Sequence, residues 1–354
     1  MVQEVRNLYV HFPFCRRKCT YCALHSRAGV SEADRAAYVG RLAAFLKAGC
    51  PGVDAEPQNL RTIYFGGGSP ALCDLAPLFA ALAPRRTADC EFTVELHPLD
   101  VAPDTLKRLK DGGVNRISMG VQSLDDGILS HMGRGYTFAE AERAFYLIRE
   151  HFDNAGIDLI VGYPGEERAL SPRHARLAKW GLSHCSVYSL ILEEGSILAH
   201  QLKRGKIAPP PDDDTVLNRL SIIAAFLHDL ELERYEISNY AAPGKECRHN
   251  FATWRGEDYL GLGDGAHGRI GRLRTQNLGT QSAAHETVSP ESDMKERTLF
   301  RLRTREGLDA AANPEWVEQL NAAVAEGLLT RHGTIYRLTE RGTEVCDSIL
   351  TDLI

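Results

Sequence analysis

Two periods of hydrophobic spacing alternate along the first half of the chain. Short runs rich in β-branched and aromatic residues fall at Leu8–Phe12, Arg61–Phe65, Glu91–Leu96, Asn115–Met119, Gly156–Val161 and His184–Leu190, and these predict strands. Segments of helical character separate them: Glu32–Ala48 behind an N-cap at Ser31, then Ala71–Leu82, Asp104–Lys110, Phe138–Glu150 and Arg173–Trp180. Strand followed by helix, repeated, calls for a parallel sheet, because parallel strands need helical crossovers. Most of the strands read as apolar runs, the pattern expected when both faces of a sheet are covered.

Two turn clusters, Asp111-Gly112-Gly113 and Asn154-Ala155-Gly156, mark returns from helix to strand, where glycine supplies a left-handed cap. Six strands are too few for an eight-stranded barrel. The expected fold is therefore α/β, a partial, curved (β/α)6 barrel over residues 1–208 with its site at the carboxyl ends of the strands. The Pro209-Pro210-Pro211 run with Asp212 to Asp214 closes this part and caps a helix whose Val216, Leu220, Ile223, Leu227 and Leu230 recur at helical spacing. Residues 209–290 read as a smaller α+β extension, ending in a polar, loop-like stretch from Gly279 to Ser292. From Met294 the order is helix, helix, hairpin (Leu328–Leu338) and helix, which resembles a winged-helix module over 291–354.

At 354 residues, with 44% apolar and 25% charged positions, the composition is that of a globular protein large enough for two domains. The net charge of −6 gives no general attraction to nucleic acid or anionic lipid; basic residues cluster only locally, as from Arg269 to Arg274. No apolar leader and no run near 18 apolar residues is present in the sequence, so neither secretion nor a membrane span is expected. Nine cysteines, an odd number with three crowded together, fit a reducing compartment, and the cytoplasm is the expected location. The oligomeric state is not specified, and a homodimer stays open.

The crowded cysteines carry the strongest chemistry. Cys15, Cys19 and Cys22 follow the first strand in a C-x3-C-x2-C spacing, so one short loop can present three thiolates, one fewer than closes a [4Fe-4S] cluster. Two alternatives compete. A zinc site usually needs a second, separated pair of ligands, and none is visible; three buried free cysteines conflict with the intervening Arg16, Arg17 and Lys18, which keep the loop near solvent. After the second strand, Gly66-Gly67-Gly68-Ser69-Pro70 brings bare backbone within reach of a ligand. Later strand ends deliver Glu95, Gln122, Arg134 and Asp158 to the same rim. Singly each has an ordinary surface or ion-pair explanation; together they describe a pocket for a zwitterion that carries a ribose.

These residues sit in motifs that resemble the oxygen-independent coproporphyrinogen III oxidase family of radical S-adenosylmethionine proteins. The similarity spans nearly the whole chain, through the Leu8 to Cys15 stretch, the glycine triplet, Gly120-Val121-Gln122-Ser123, Gly162-Tyr163-Pro164-Gly165 and Tyr235-Glu236-Ile237-Ser238-Asn239-Tyr240. The resemblance implies that Cys15, Cys19 and Cys22 hold three irons of a [4Fe-4S] cluster, with S-adenosylmethionine on the fourth. It also implies that Tyr9, Gly67, Gly68, Ser69, Glu95, Gln122, Arg134 and Asp158 contact that cofactor, whose sulfonium an electron from the cluster would cleave.

Within the family the choice lies between a true oxidase, which decarboxylates tetrapyrrole propionates, and a haem chaperone that hands haem to an acceptor protein. Leu24 occupies the position where the oxidases carry a fourth cysteine, and only seven residues precede the first strand. In addition, Arg248-His249-Asn250-Phe251-Ala252-Thr253-Trp254 resembles the chaperone group's H-N-x-x-Y-W signature, with Thr253 in place of the tyrosine. The expectation is a haem chaperone, with His249 as candidate iron ligand, Trp254 packed on the macrocycle, and Arg248 or Arg255 on propionates. The opposing reading makes His249 a structural histidine in a packed loop. His267 is a second candidate ligand, and no function is assigned to Tyr136.

Overall fold

The computed structural model describes residues 3–167 and 170–353, leaving aside the Asp352 side chain. Six parallel strands form the centre: β1 (Gln3–Phe12), β2 (Ala55–Gly67), β3 (Arg86–Leu96), β4 (Arg116–Gln122), β5 (Asn154–Val161) and β6 (His184–Ser189). All six predicted strands are present and lie side by side in chain order. The 209–290 region adds β7 (Glu233–Glu236), β8 (Asn239–Ala241) and β9 (Leu260–Leu262) to the edges of this same sheet. Strand β9 pairs parallel to β1, while β8 runs antiparallel beside β6. The result is a partial barrel whose open edges are lengthened by later chain.

The strands are not uniform apolar runs, and here the sequence expectation needs correction. Val10, Phe65, Val94, Ile117, Ile157 and Val187 face the surrounding helices and are buried in one continuous core. Their alternate neighbours Tyr9, Tyr64, Glu95, Ser118, Asp158 and Ser186 face inward, and the register places Tyr9 opposite Tyr64, Glu95 opposite Ser118 and Asp158 opposite Ser186. Period-2 alternation therefore persists, because the concave face surrounds a polar interior.

Several element ends shift for local reasons. Ser31 accepts from the Asp34 amide and caps Glu32–Lys47, as expected. The 71–82 segment splits into a 3-10 turn, Pro70–Leu72, and a helix, Ala76–Leu82, since Pro77 fits only a first helical turn. The 173–180 helix shortens to His174–Leu177, with Trp180 stacked instead on Phe138 and Phe145 and buried. Gly113 adopts the left-handed conformation, φ 87°, but Gly156 is not a turn residue. It lies inside β5, where a Cβ would stand 2.7 Å from the His184 carbonyl oxygen. The 279–292 stretch contains an edge strand, Ala284–Thr287, and the next helix starts at Pro290 behind the Ser289 cap. In the C-terminal part a three-stranded sheet packs with helices around Leu302, Trp316, Leu320 and Tyr336.

Candidate radical S-adenosylmethionine site

The carboxyl end of the sheet gathers the cysteine loop and the glycine triplet into one surface. Gly68 N–H donates to Phe12 O at 2.7 Å and Ser69 N–H to Phe14 O at 2.7 Å, so the two loops run side by side. Gly67 has φ 104°, a conformation that favours glycine. At Gly68 a Cβ would meet Phe14 O at 2.4 Å, Phe12 O at 2.8 Å and Cys15 Sγ at 2.9 Å. Asp100, a residue the sequence did not single out, completes the junction: its buried carboxylate accepts from both the Ser69 hydroxyl and the Arg16 guanidinium.

Of the nine cysteines, Cys15, Cys19 and Cys22 are half-buried and the other six are buried. Burial, and then the neighbouring thiols, push the Cys15 thiol up to about 11, and burial also raises Cys22. A bound cation would reverse that preference and draw out the thiolates. Among the described residues no three His, Cys, Asp or Glu side chains converge as closely as one metal ion requires. The Arg134 guanidinium donates to Cys19 Sγ at 3.3 Å and to Gly120 O at 2.6 Å. Tyr136 holds it there, accepting from Arg134 Nε at 3.0 Å while its hydroxyl points at the Gly120 and Val121 carbonyls. That gives Tyr136 the role the sequence left blank.

Below this rim the interior carries two carboxyl groups. Glu95 accepts from Tyr64 OH at 2.8 Å and from Gly67 N–H at 2.9 Å. Burial, then the Asp158 charge, push it up to about 7. Asp158 accepts from Ser118 Oγ at 3.0 Å, and burial raises it too, against the hydrogen bonds from Ser186 and Ser118. Two half-buried carboxyls that disfavour their own ionisation suit a cationic or hydroxyl-rich ligand. Gln122 ends β4 with φ 71°, turned over Gly120. Tyr9 hydrogen bonds to His11 Nδ1 at 2.9 Å, and His11 Nε2 reaches His25 O at 3.0 Å. Alternation along β1 already placed Tyr9 and His11 on one face, a signal the motif reading passed over.

The structure thus brings Tyr9, Gly67, Gly68, Ser69, Glu95, Gln122, Arg134 and Asp158 to one end and interior of the sheet, beside the three cysteines. The residues present fit a cluster with a small zwitterion: free thiols on a loop, a cradle that a single methyl group would fill, and two carboxyls that, among the described residues, form no ion pair, although the buried Arg116 guanidinium lowers both from further down the barrel.

His249 lies beneath this site, against Tyr9 and Tyr64, and Trp254 lies away from it. His249 is 5% exposed. Its Nδ1 is 2.9 Å from Thr62 Oγ1, and its ring lies 5.4 Å from Tyr64 and 6.3 Å from Tyr9. Its backbone N–H, with that of Arg248, donates to Glu91 on β3. Burial holds the imidazole down to about 3, hence neutral. Trp254, at the other end of the Arg248–Trp254 helix, packs edge-on against Phe300 at 5.5 Å with Arg303 over its ring. The two side chains expected to share a haem site thus lie on opposite sides of their helix: His249 packs inside the barrel, and Trp254 joins the C-terminal part to it. Arg248 and Arg255 are likewise engaged, with Asp89 and Glu306.

Comparison with known proteins agrees with this architecture. The family model for the radical SAM superfamily matches residues 9–170, and that for the HemN C-terminal domain matches residues 288–345. A Mycobacterium tuberculosis protein called heme chaperone HemW is 32% identical, across 98% of this chain and 94% of its own length. The mitochondrial radical S-adenosyl methionine domain-containing protein 1 of Mus musculus is 34% identical, across 93% of this chain and 74% of its own. The solved structure of Escherichia coli coproporphyrinogen III oxidase (HemN), a radical SAM enzyme, superposes with a TM-score of 0.80 at 22% identity, covering 99% of this chain and 89% of that one, and so shares the fold. With its cysteine loop, its six-stranded partial barrel and this end-to-end similarity, the chain belongs to the oxygen-independent coproporphyrinogen III oxidase-like family of radical SAM proteins, in its HemW type.

Proposed function

We propose that the protein is a haem chaperone, which binds a [4Fe-4S] cluster, S-adenosylmethionine and haem and passes haem to an acceptor protein in a reducing, cytoplasmic setting. The observation that carries this reading is similarity over essentially the full length to relatives named haem chaperones. It is joined by Leu24, 56% exposed where a fourth thiol would mark an oxidase.

In this reading Cys15, Cys19 and Cys22 hold the cluster, and Arg134 supplies positive charge beside Cys19. Gly67 and Gly68 leave room for the cofactor's backbone-like end, while Ser69 is held by Asp100. Glu95 and Asp158 accept from ammonium and ribose hydroxyls, with Tyr9 and Gln122 closing the sides. When bound, the cluster and cofactor supply one-electron chemistry that no side chain here provides.

The test is anoxic reconstitution with iron and sulfide, followed by titration with ferric protoporphyrin IX and, separately, incubation with coproporphyrinogen III and S-adenosylmethionine. Stable uptake of haem without turnover is expected, together with iron content lost in Cys22→Ser. Conversion of coproporphyrinogen III to protoporphyrinogen IX would replace the chaperone reading by the oxidase one.

A further inference from the structure

A cavity of about 1160 Å³ lies on the flank of the sheet, between the helix Asp213–Asp229, the β7–β8 edge and the C-terminal part. It exceeds the several hundred to roughly 1000 Å³ of ordinary ligand sites, and the cysteine loop does not border it. Its helical wall is a single face: Leu217, Leu220, Ser221, Ala224, Ala225 and His228 recur three or four residues apart. Ser221, Ala225 and His228 are exposed, and the small side chains make the wall flat. Leu338 and the exposed Val345 stand among the lining residues of the C-terminal part.

Cationic groups collect where that part meets the sheet edge. Arg305 N–H donates to Tyr235 O at 3.0 Å, Ile237 N–H to Arg303 O at 3.1 Å, and Arg337 Nε to Arg305 O at 2.9 Å. Arg337 pairs with no carboxylate among the described residues. Arg303 Nε is buried without a hydrogen-bond partner, although another of its nitrogens pairs with Asp347. Acidic groups line the cavity as well, but they are committed or peripheral. Glu236 is bonded to Asn239, Glu233 pairs with His228, and Asp213, Asp229, Glu340 and Glu344 stand at helix ends.

A flat wall of small side chains beside the Arg337 guanidinium, which has no carboxylate partner among the described residues, matches a planar macrocycle with carboxylates on one edge. We propose that this flank cavity is where the tetrapyrrole binds, its plane against Ser221, Ala224 and Ala225 and a propionate on Arg337. The proposal rests on the haem-carrier reading and gives it a location away from His249 and from the cluster.

The experiment titrates the anoxically reconstituted full chain with ferric protoporphyrin IX, comparing wild type with Ala225→Trp and Arg337→Glu. Both variants are expected to bind at least roughly tenfold more weakly, with the cluster's iron content unchanged. The dimethyl ester of the same porphyrin, which lacks the carboxylates, is expected to bind wild type and Arg337→Glu equally. Should Ala225→Trp misfold by circular dichroism, Arg337→Glu, half-exposed on a hairpin strand, decides alone. Haem uptake by wild type with undiminished uptake by the properly folded variants would overturn the location but leave the carrier reading standing. Absence of uptake by wild type would remove both.

Discussion

Replacing Gly68 by alanine tests the geometry on which the cofactor site depends. The added methyl would lie 2.4 Å from Phe14 O and 2.8 Å from Phe12 O, both main-chain atoms. Relief to ordinary contact requires the two loops to part by about 1 Å. The same two carbonyls accept the hydrogen bonds from Ser69 and Gly68, each 2.7 Å long, so separation stretches both beyond useful length. Two such bonds at about 1 kcal/mol each, with about 1–3 kcal/mol of overpacking, put the cost at roughly 3–5 kcal/mol. It falls on the loop that presents Cys15. Gly40→Ala is the matched control: it sits in the Glu32–Lys47 helix with nothing within 4 Å of its ideal Cβ, and should gain about 0.5–1 kcal/mol. Iron and sulfide per chain after anoxic reconstitution, and the urea midpoint of the apoprotein, are the readouts. Gly68→Ala is expected to lose most of its iron and to unfold at lower urea, with Gly40→Ala equal to or above wild type on both. Full iron content and an unchanged midpoint in Gly68→Ala would refute the packing argument.

Three further outcomes follow from buried groups. Glu95 titrates near 7 against an ordinary value of 4.5, so the folded apoprotein holds a proton that the unfolded chain releases between those values. Stability should therefore fall as pH rises from about 5 to 8, by at most about 3 kcal/mol before solvent screening, and Glu95→Gln should flatten that slope in urea unfolding. A wild-type slope of the opposite sign, or one unaltered by the substitution, would remove the assignment. His249→Ala leaves Thr62 facing a cavity and is expected to cost about 1–3 kcal/mol in urea unfolding without moving the Soret band of bound haem; a displaced band would restore His249 as an iron ligand. Trp254→Ala removes the contact with Phe300 and Arg303 and should speed proteolytic release of the C-terminal part, while cluster loading stays complete. Equal cleavage rates in the variant and wild type would contradict the role given to Trp254.

The two interior carboxyls are each held by a neighbouring strand. Glu95 is tied to β2 by Tyr64 and Gly67, and Asp158 to β4 by Ser118. These hydrogen bonds position both carboxyls before any ligand is present. Preorganisation of this kind lowers the cost of ordering side chains when a ligand enters.

Strand existence, strand order and the cysteine loop were legible in the chain, because hydrophobic period and ligand spacing are local properties. The family motifs likewise marked Glu95, Gln122, Arg134 and Asp158: Glu95 and Gln122 stand at or next to strand ends, Asp158 is an acid within an apolar strand, and Arg134 follows the short helix after β4. Other features were beyond local reading. That the inner face is polar depends on the sheet curling back on itself, and Asp100, Tyr136 and His11 matter only through partners contributed by other loops and strands. The H-N-x-x-x-W segment is the clearest case. Its imidazole and indole look like a haem pair along the sequence, but a helix of seven residues turns them to opposite sides, one into the barrel base and one onto Phe300. Which chemistry a histidine can perform is decided by burial and by what occupies its nitrogens, and both are set by packing between segments far apart in the chain.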